Sequence, residues 1–256
     1  MRLLNLYQRY FAALMRLADG AQERHYGERK ERLFDSIAPG DCVVEIGPGT
    51  GVNLAHLPPG VRYVGVEPNP HMHAPLRRKA DALDLASVEL HEARAEALPL
   101  PDEHADAVLS TLVLCSVDRP QQALAEVHRV LRPERQRAPR PKGRSTLRGG
   151  STLGGRPERQ RGAARSSPRE GSAPGGRPGG RFYFIEHVAA SEESTRRRVQ
   201  RFIKPAWRPL ADGCRPDQCT GALIEQAGFA EVQIDRFPSG SVLNPIRPHV
   251  AGVARR

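Results

Sequence analysis

Val43-Val44-Glu45-Ile46-Gly47-Pro48-Gly49-Thr50-Gly51 is a short apolar run that breaks into three alternate glycines, with an acid just before them. The run predicts a buried strand, and the glycines predict a tight turn on which backbone, not side chain, meets a ligand. Nicotinamide and flavin enzymes also place a glycine loop after their first strand. Here the spacing is Gly-x-Gly-x-Gly, and Val52 stands where the dinucleotide fingerprint needs its third glycine. That glycine packs helix on strand beside the pyrophosphate, so its absence counts against NAD.

Around the loop the charges fit a ligand without phosphate. The loop resembles the cofactor loop of S-adenosylmethionine-dependent methyltransferases, whose ligand brings an ammonium, a carboxylate and a sulfonium. Glu45 supplies a nearby acid, and Gly47, Pro48, Gly49, Thr50 and Gly51 supply backbone. A second apolar run, Val61 to Val66, ends in Glu67-Pro68-Asn69. An acid at the tip of a second strand is expected to bond both ribose hydroxyls, which supports an adenosine cofactor without naming it.

Further along, the segments 93–102 and 105–110 resemble the third and fourth strand tips of class I methyltransferases. On that resemblance Ala95 and Glu96 border the adenine, Asp106 opens the fourth strand, and Thr111 to Val117, with Thr111 and Leu112 at the cofactor, carries it to its carboxyl end. Ligands of open parallel sheets bind beyond those ends. Asp118-Arg119-Pro120 then reads as a helix start with Asp118 as N-cap, and Leu124, Val127 and Leu131 fall at helical spacing toward the sheet.

The resemblance narrows with Thr111 to Val117, Glu186-His187-Val188-Ala189-Ala190, Pro205-Ala206-Trp207, Asp212-Gly213-Cys214 and Arg247-Pro248-His249-Val250-Ala251-Gly252. Together these are similar to the methyltransferase-like-seven family, the thiol S-methyltransferases, from about residue 22 to the end apart from one interruption. The family implies an α/β fold, the Rossmann-like class I methyltransferase sandwich, with a mostly parallel seven-stranded sheet and an antiparallel C-terminal strand. It also implies S-adenosyl-L-methionine as cofactor and methyl transfer to a small alkyl thiol or hydrogen sulfide. Neither composition nor periodicity indicates that acceptor.

The interruption spans residues 134–178. It has no aromatic, Val, Ile, Met or Cys, and twelve Lys or Arg against three Glu, so it carries nine of the chain's formal +10. Such a stretch cannot bury enough apolar surface to offset chain entropy, and a disordered insert is expected, either a lineage-specific insertion or translated non-coding sequence. Its ends are expected to meet, because Pro133 and Gly179-Gly180 would link helix to fifth strand. The rest is nearly neutral, which argues against nucleic acid as a partner of the folded domain. The expected organisation is N-terminal amphipathic cap helices at 1–36, a cofactor-binding half at 37–133, the insert at 134–178, and a C-terminal half at 179–256.

Cys42, Cys115, Cys214 and Cys219 form no Cys-x-x-Cys pair, and there is no cleavable signal pattern, so reduced thiols are expected rather than disulfides or a bound metal. Cys42 and Cys115 read as small core residues. Leu3, Tyr7, Tyr10, Leu14 and Leu17 line one face of an N-terminal helix, and Arg2, Arg9 and Arg16 line another. That face is expected to pack on the domain as a lid; the alternative is peripheral contact with an anionic membrane. The resemblance implies a long hydrophobic anchor to endoplasmic reticulum and lipid droplets. No run here approaches the roughly 20 apolar residues of a span, so a cytoplasmic monomer is expected, at most peripheral on those membranes.

A sulfonium is already an activated methyl donor, so catalysis is mostly alignment and water exclusion. A weak base or a cationic neighbour suffices for a thiol with a pKa of about 8.5. His187, past the fifth strand, and Asp212, with Cys214 in the Asp-Gly-Cys turn, are the catalytic candidates; each also reads as an ordinary structural residue. The alternatives are a quinone, sterol or small-lipid methyltransferase, or a non-catalytic scaffold with a basic disordered arm. No Asn/Asp-Pro-Pro-aromatic loop or Pro-Cys pair stands at the fourth strand tip, which argues against base flipping.

Overall fold

Cys42–Ile46 forms β1, five consecutive buried residues, as a strand covered on both faces requires. It pairs in parallel with β2 (Arg62–Val66) and β4 (Ala107–Thr111). β3 (Ser87–His91) adds outside β2, and β5 (Arg181–His187) adds outside β4, also in parallel. β7 (Pro248–Arg255) then runs antiparallel between β5 and β6 (Glu231–Pro238). The sheet order is β3-β2-β1-β4-β5-β7-β6, with β7 alone reversed, as the expected sandwich requires. This computed structural model describes residues 2–134, 179–241 and 244–256.

Helices cover both faces: α1 (Arg2–Phe34), α2 (Pro70–Ala80), α3 (Pro120–Val130), α4 (Thr195–Leu210) and α5 (Thr220–Glu225). Alternation along each strand sorts the core into two layers. On one face Val44, Ile46, Val64, Val108, Phe182 and Phe184 pack against Leu124, Val127 and Val130 of α3. On the other, Val43, Tyr63, Leu109 and Tyr183 pack against Phe34 of α1 and Leu76 of α2.

Four expectations are corrected or narrowed. β4 stops at Thr111; Leu112 turns into the left-handed region at φ 60°, so 112–117 is a turn and not more strand. Asp118 does not cap α3, whose N-cap is Arg119; its carboxylate instead meets Arg94 at 2.8 Å and Arg208 at 3.1 Å. The N-terminal segment is one continuous helix of 33 residues. Its expected apolar face largely does not pack: Leu3, Tyr10 and Leu17 are 83%, 61% and 84% exposed. Polar contacts set the rotation of α1 instead, the carbonyl of Gln8 accepting from Asn69, Asp19 accepting from Thr50 and Lys79, and Tyr26 meeting His249.

Residues 135–178 of the expected insert lie outside the described residues. The chain on either side of them does meet: Gly180 N donates to Arg132 O at 2.7 Å. Among the described residues no helix is long and apolar enough to cross a membrane.

Gly252 shows how tightly the reversed strand is inserted. A Cβ there would lie 1.9 Å from Gln233 O and 2.8 Å from the Phe184 ring. Gly252→Ala is therefore expected to cost at least about 2 kcal/mol, because backbone and ring must both move. Chemical denaturation checks this; a midpoint unchanged from the parent would show that β7 has slack.

Candidate active site

The carboxyl ends of β1, β2, β4 and β5 meet at one edge of the sheet, and α1 lies across it. Gly47, Gly49 and Gly51 all have positive φ (58°, 55° and 80°), a run that side chains resist. They serve different ends. A Cβ on Gly47 would strike Val113 at 2.7 Å, and one on Gly51 would strike Leu76 at 2.5 Å. One on Gly49 would meet no protein atom within 4 Å.

Glu67, at the tip of β2, ties this loop to the next turn. Its carboxylate accepts from Gly49 N at 3.0 Å and Asn69 N at 2.8 Å. Burial raises its pKa, while those two donors work the other way. Asn69 caps α2 through His71 N, with Pro70 in the first turn. Pro68 lies between Glu67 and that cap.

Glu45 sits beneath the loop, 1% exposed, and both its oxygens are engaged, by Tyr63 OH at 2.6 Å and Asn53 Nδ2 at 2.7 Å. Asn53 also donates to Thr111 Oγ1 at 2.9 Å, linking β1 to the end of β4. Burial raises the Glu45 pKa. Thr50 Oγ1 donates to Asp19 of α1 at 2.5 Å. Glu96, 4% exposed, accepts from Asp118 N and Arg119 N and so takes up backbone donors at the start of α3, with Ala95 buried beside it.

The expected site residues therefore divide by position. Residues 45–51, 67–69, 111 and 112 gather around one loop. Ala95 and Glu96 lie toward the start of α3. His187 and Asp212 lie farther along the edge, past β5 and α4. Asp212 has φ 48° in an exposed turn, where its N–H donates to Tyr7 OH of α1 at 3.0 Å.

His187 is not alone, as the sequence left it. Its Nε2 lies 2.9 Å from Cys214 Sγ, and Trp207 Nε1 donates to the same sulfur at 3.2 Å. Cys115, expected as plain core, is the third member, its ligand atom within 4.8 Å of both others. Hydrogen bonding from Cys115, then from His187 and Trp207, pulls the Cys214 thiol well below its ordinary range, and the same pairing pushes Cys115 up. All four cysteines are free.

The turn that carries Cys115 hangs on Glu186. One carboxylate oxygen accepts from Ser110 Oγ at 2.7 Å, Val113 N at 3.1 Å and Leu114 N at 3.2 Å. Full burial raises the Glu186 pKa against those donors.

Residues 44–135 match the family model of the methyltransferase domain. Thiol S-methyltransferase TMT1B of Homo sapiens is 30% identical over 257 residues, covering 97% of this chain and 87% of that protein. The chain belongs to the thiol S-methyltransferase family. With it, the chain is a class I S-adenosylmethionine-dependent methyltransferase. Thiol S-methyltransferase TMT1A of Homo sapiens is 29% identical over 83% of this chain and 69% of its own length. Among solved structures, a SAM-dependent methyltransferase of Thermotoga maritima shares the fold, with a TM-score of 0.57 at 19% identity over 98% of each chain.

In this methyltransferase His249, of the C-terminal motif, has a partner that carried no sequence signal of its own. Tyr26 OH lies 2.8 Å from His249 Nε2, whose Nδ1 lies 2.9 Å from Arg247 O. Only the pairing of α1 with β7, 223 positions apart, brings them together.

His249 makes stability depend on pH. It is 2% exposed, and burial lowers its pKa to about 4. An unfolded histidine titrates near 6.5. Between about pH 6.5 and pH 4 the unfolded chain takes up a proton that the folded chain refuses, a loss of up to about 3 kcal/mol. Glu45, Glu67 and Glu186 act in the opposite sense, so the contrast belongs between parent and variant. His249→Gln is expected to lose less stability than the parent as pH falls through that window. Equal losses in urea titrations at pH 7 and pH 4.5 would remove His249 from the account.

Proposed function

We propose that the protein transfers the methyl group of S-adenosylmethionine to the sulfur of a small alkyl thiol or hydrogen sulfide. The observation that carries the acceptor is the likeness to thiol S-methyltransferase TMT1B, which runs across the acceptor side of the chain as well as the cofactor loop.

The residues at the loop suit such a cofactor. Glu67 spends one lone pair of each oxygen on backbone and keeps others for a ribose diol. Gly49 leaves room that a side chain would take. On this reading Gly47, Pro48, Gly49, Thr50 and Gly51 hold the methionine portion by backbone, Pro68 and Asn69 shape the ribose turn, Ala95 and Glu96 border the adenine, and Thr111 and Leu112 lie beneath. Glu45 acts from below, keeping the loop's shape through Asn53. When bound, S-adenosylmethionine supplies an activated methyl on a sulfonium.

What remains for the protein is to hold the acceptor sulfur, favour its thiolate form and keep water away. His187 is the group placed for that at the end of β5, 3% exposed and joined to Cys214. Asp212 helps by fastening the Asp-Gly-Cys turn to α1 at Tyr7.

S-adenosylhomocysteine is expected to raise the melting temperature of the purified protein. Gly49→Ala and Glu67→Ala should each abolish that rise; a full rise in both would place the cofactor elsewhere. With labelled S-adenosylmethionine and a panel of alkyl thiols, hydrogen sulfide and quinones, label is expected in the thiol products. Label in quinone but in no thiol would overturn the acceptor. His187→Gln should lower kcat/KM for the thiol by about 10-fold or more while leaving the homocysteine-derivative shift intact.

A further inference from the structure

Where β4 and β5 end, three soft donor atoms are buried together. Cys115 comes from the turn after β4, His187 from the last position of β5, and Cys214 from the turn after α4. They are 1%, 3% and 7% exposed, and one donor atom of each lies within 4.8 Å of the other two.

The two turns are locked to one another. Arg215 N donates to Cys115 O at 2.9 Å. A Cβ on Gly213 would sit 2.9 Å from Ser116 O, so only glycine allows the approach. The cluster is therefore built into the backbone and does not depend on side-chain rotation alone.

Favouring the thiolate of an acceptor asks for one basic or cationic group. It does not ask for two cysteines against that group. Two thiols and an imidazole are, however, a donor set for a borderline or soft cation, and not for calcium or magnesium. In a tetrahedral zinc site, with bonds of about 2.3 Å to sulfur and about 2.0 Å to nitrogen, donor atoms stand about 3.5–3.8 Å apart. The 2.9 Å between His187 Nε2 and Cys214 Sγ has to open by only about 0.6 Å to reach that spacing. Trp207 Nε1, donating to the Cys214 sulfur, is the kind of outer contact that steadies a bound thiolate.

We propose that Cys115, His187 and Cys214 bind one zinc-class divalent cation through two thiolates and one imidazole, leaving the fourth position open. Three protein donors with an open position are the pattern of a catalytic zinc site, whereas structural sites are closed by four. What occupies the fourth position rests on the thiol reading given above. A thiol bonds to the cation through sulfur and displaces the bound water, which leaves carrying the thiol proton as hydronium. The product is a cation-held thiolate, because the bound charge lowers the thiol pKa. His187 then acts as a ligand.

Cobalt(II) titration of the full chain, stripped of metal and kept reduced with a phosphine, tests the site. One equivalent is expected to bind, with a thiolate-to-cobalt absorption band and the intense visible bands of a tetrahedral centre. Cys115→Ser and Cys214→Ser should each weaken binding at least about 100-fold, while Cys219→Ser, at an exposed position, should leave it unchanged. If a serine variant fails to fold, His187→Gln serves instead: it should weaken cobalt binding at least about 100-fold while keeping the thermal shift with S-adenosylhomocysteine. Adding a small alkyl thiol should shift the cobalt bands. No binding at one equivalent, or no thiolate band, would sink the site. Thiol methylation equally fast in stripped and zinc-loaded protein would also overturn it and leave the thiol acceptor standing. Metal binding without methylation of any thiol would do the reverse.

Discussion

One buried carboxylate organises the working edge of the sheet. Glu186, with no exposed surface, cannot remain charged there without donors, and a single oxygen collects three. Two of them are backbone N–H groups just past β4, so satisfying Glu186 forces the chain to turn after Thr111. That turn then sets two things at once. Val113 comes up under Gly47 and fills the space a side chain would need, and Cys115 arrives beside His187 and Cys214. The glycine loop and the His187 cluster thus share one support, which a substitution at Glu186 would disturb at both ends.

Helix α1 closes the same edge by a different physical route. Apolar contact is concentrated at its C-terminal end, at Tyr26, Leu33 and Phe34, and along its length polar, point-like contacts tie it down: Tyr7 to Asp212, Gln8 to Asn69, Asp19 to Thr50 and Lys79, Tyr26 to His249. Those to Asp212, Asn69 and Thr50 reach residues of the candidate site. Such contacts specify rotation strongly because unpaired partners would be left half-buried. Their cost is that the leucine stripe is turned to solvent. Helical periodicity correctly located an amphipathic helix, but it ranked hydrophobic burial above polar registration, and in α1 the second prevailed.

Much of the fold was legible because it follows from local pattern. The apolar run before the glycines read as a buried strand and is β1, buried over its whole length, and Leu124, Val127 and Leu131 are fully buried where helical spacing put them. The glycine spacing marked a turn whose three residues do have positive φ. Errors fell where short-range rules meet tertiary contacts. Asp118 has the chemistry of an N-cap, yet Arg94, Arg208 and Arg215 draw its carboxylate away, and Glu96, from 22 positions earlier, takes over the backbone donors of the helix start. Thr111 to Val117 is apolar enough for a strand, but the donors owed to Glu186 end it early.

By itself the sequence determined the class of architecture, the glycine turn after β1, the acid at the tip of β2 and the family. All of these rest on residues close together in the chain, where spacing translates directly into geometry. Only the tertiary structure decided that His187 has partners. Cys115 lies 72 positions before it and Cys214 lies 27 after it, and neither separation carries any periodic signal. Their meeting depends on β5 lying beside β4 in the sheet order, on Glu186 bending the chain past β4, and on Gly213 allowing two backbones to touch. Chemistry assembled from three distant segments is set by packing, and packing is a property of the folded chain.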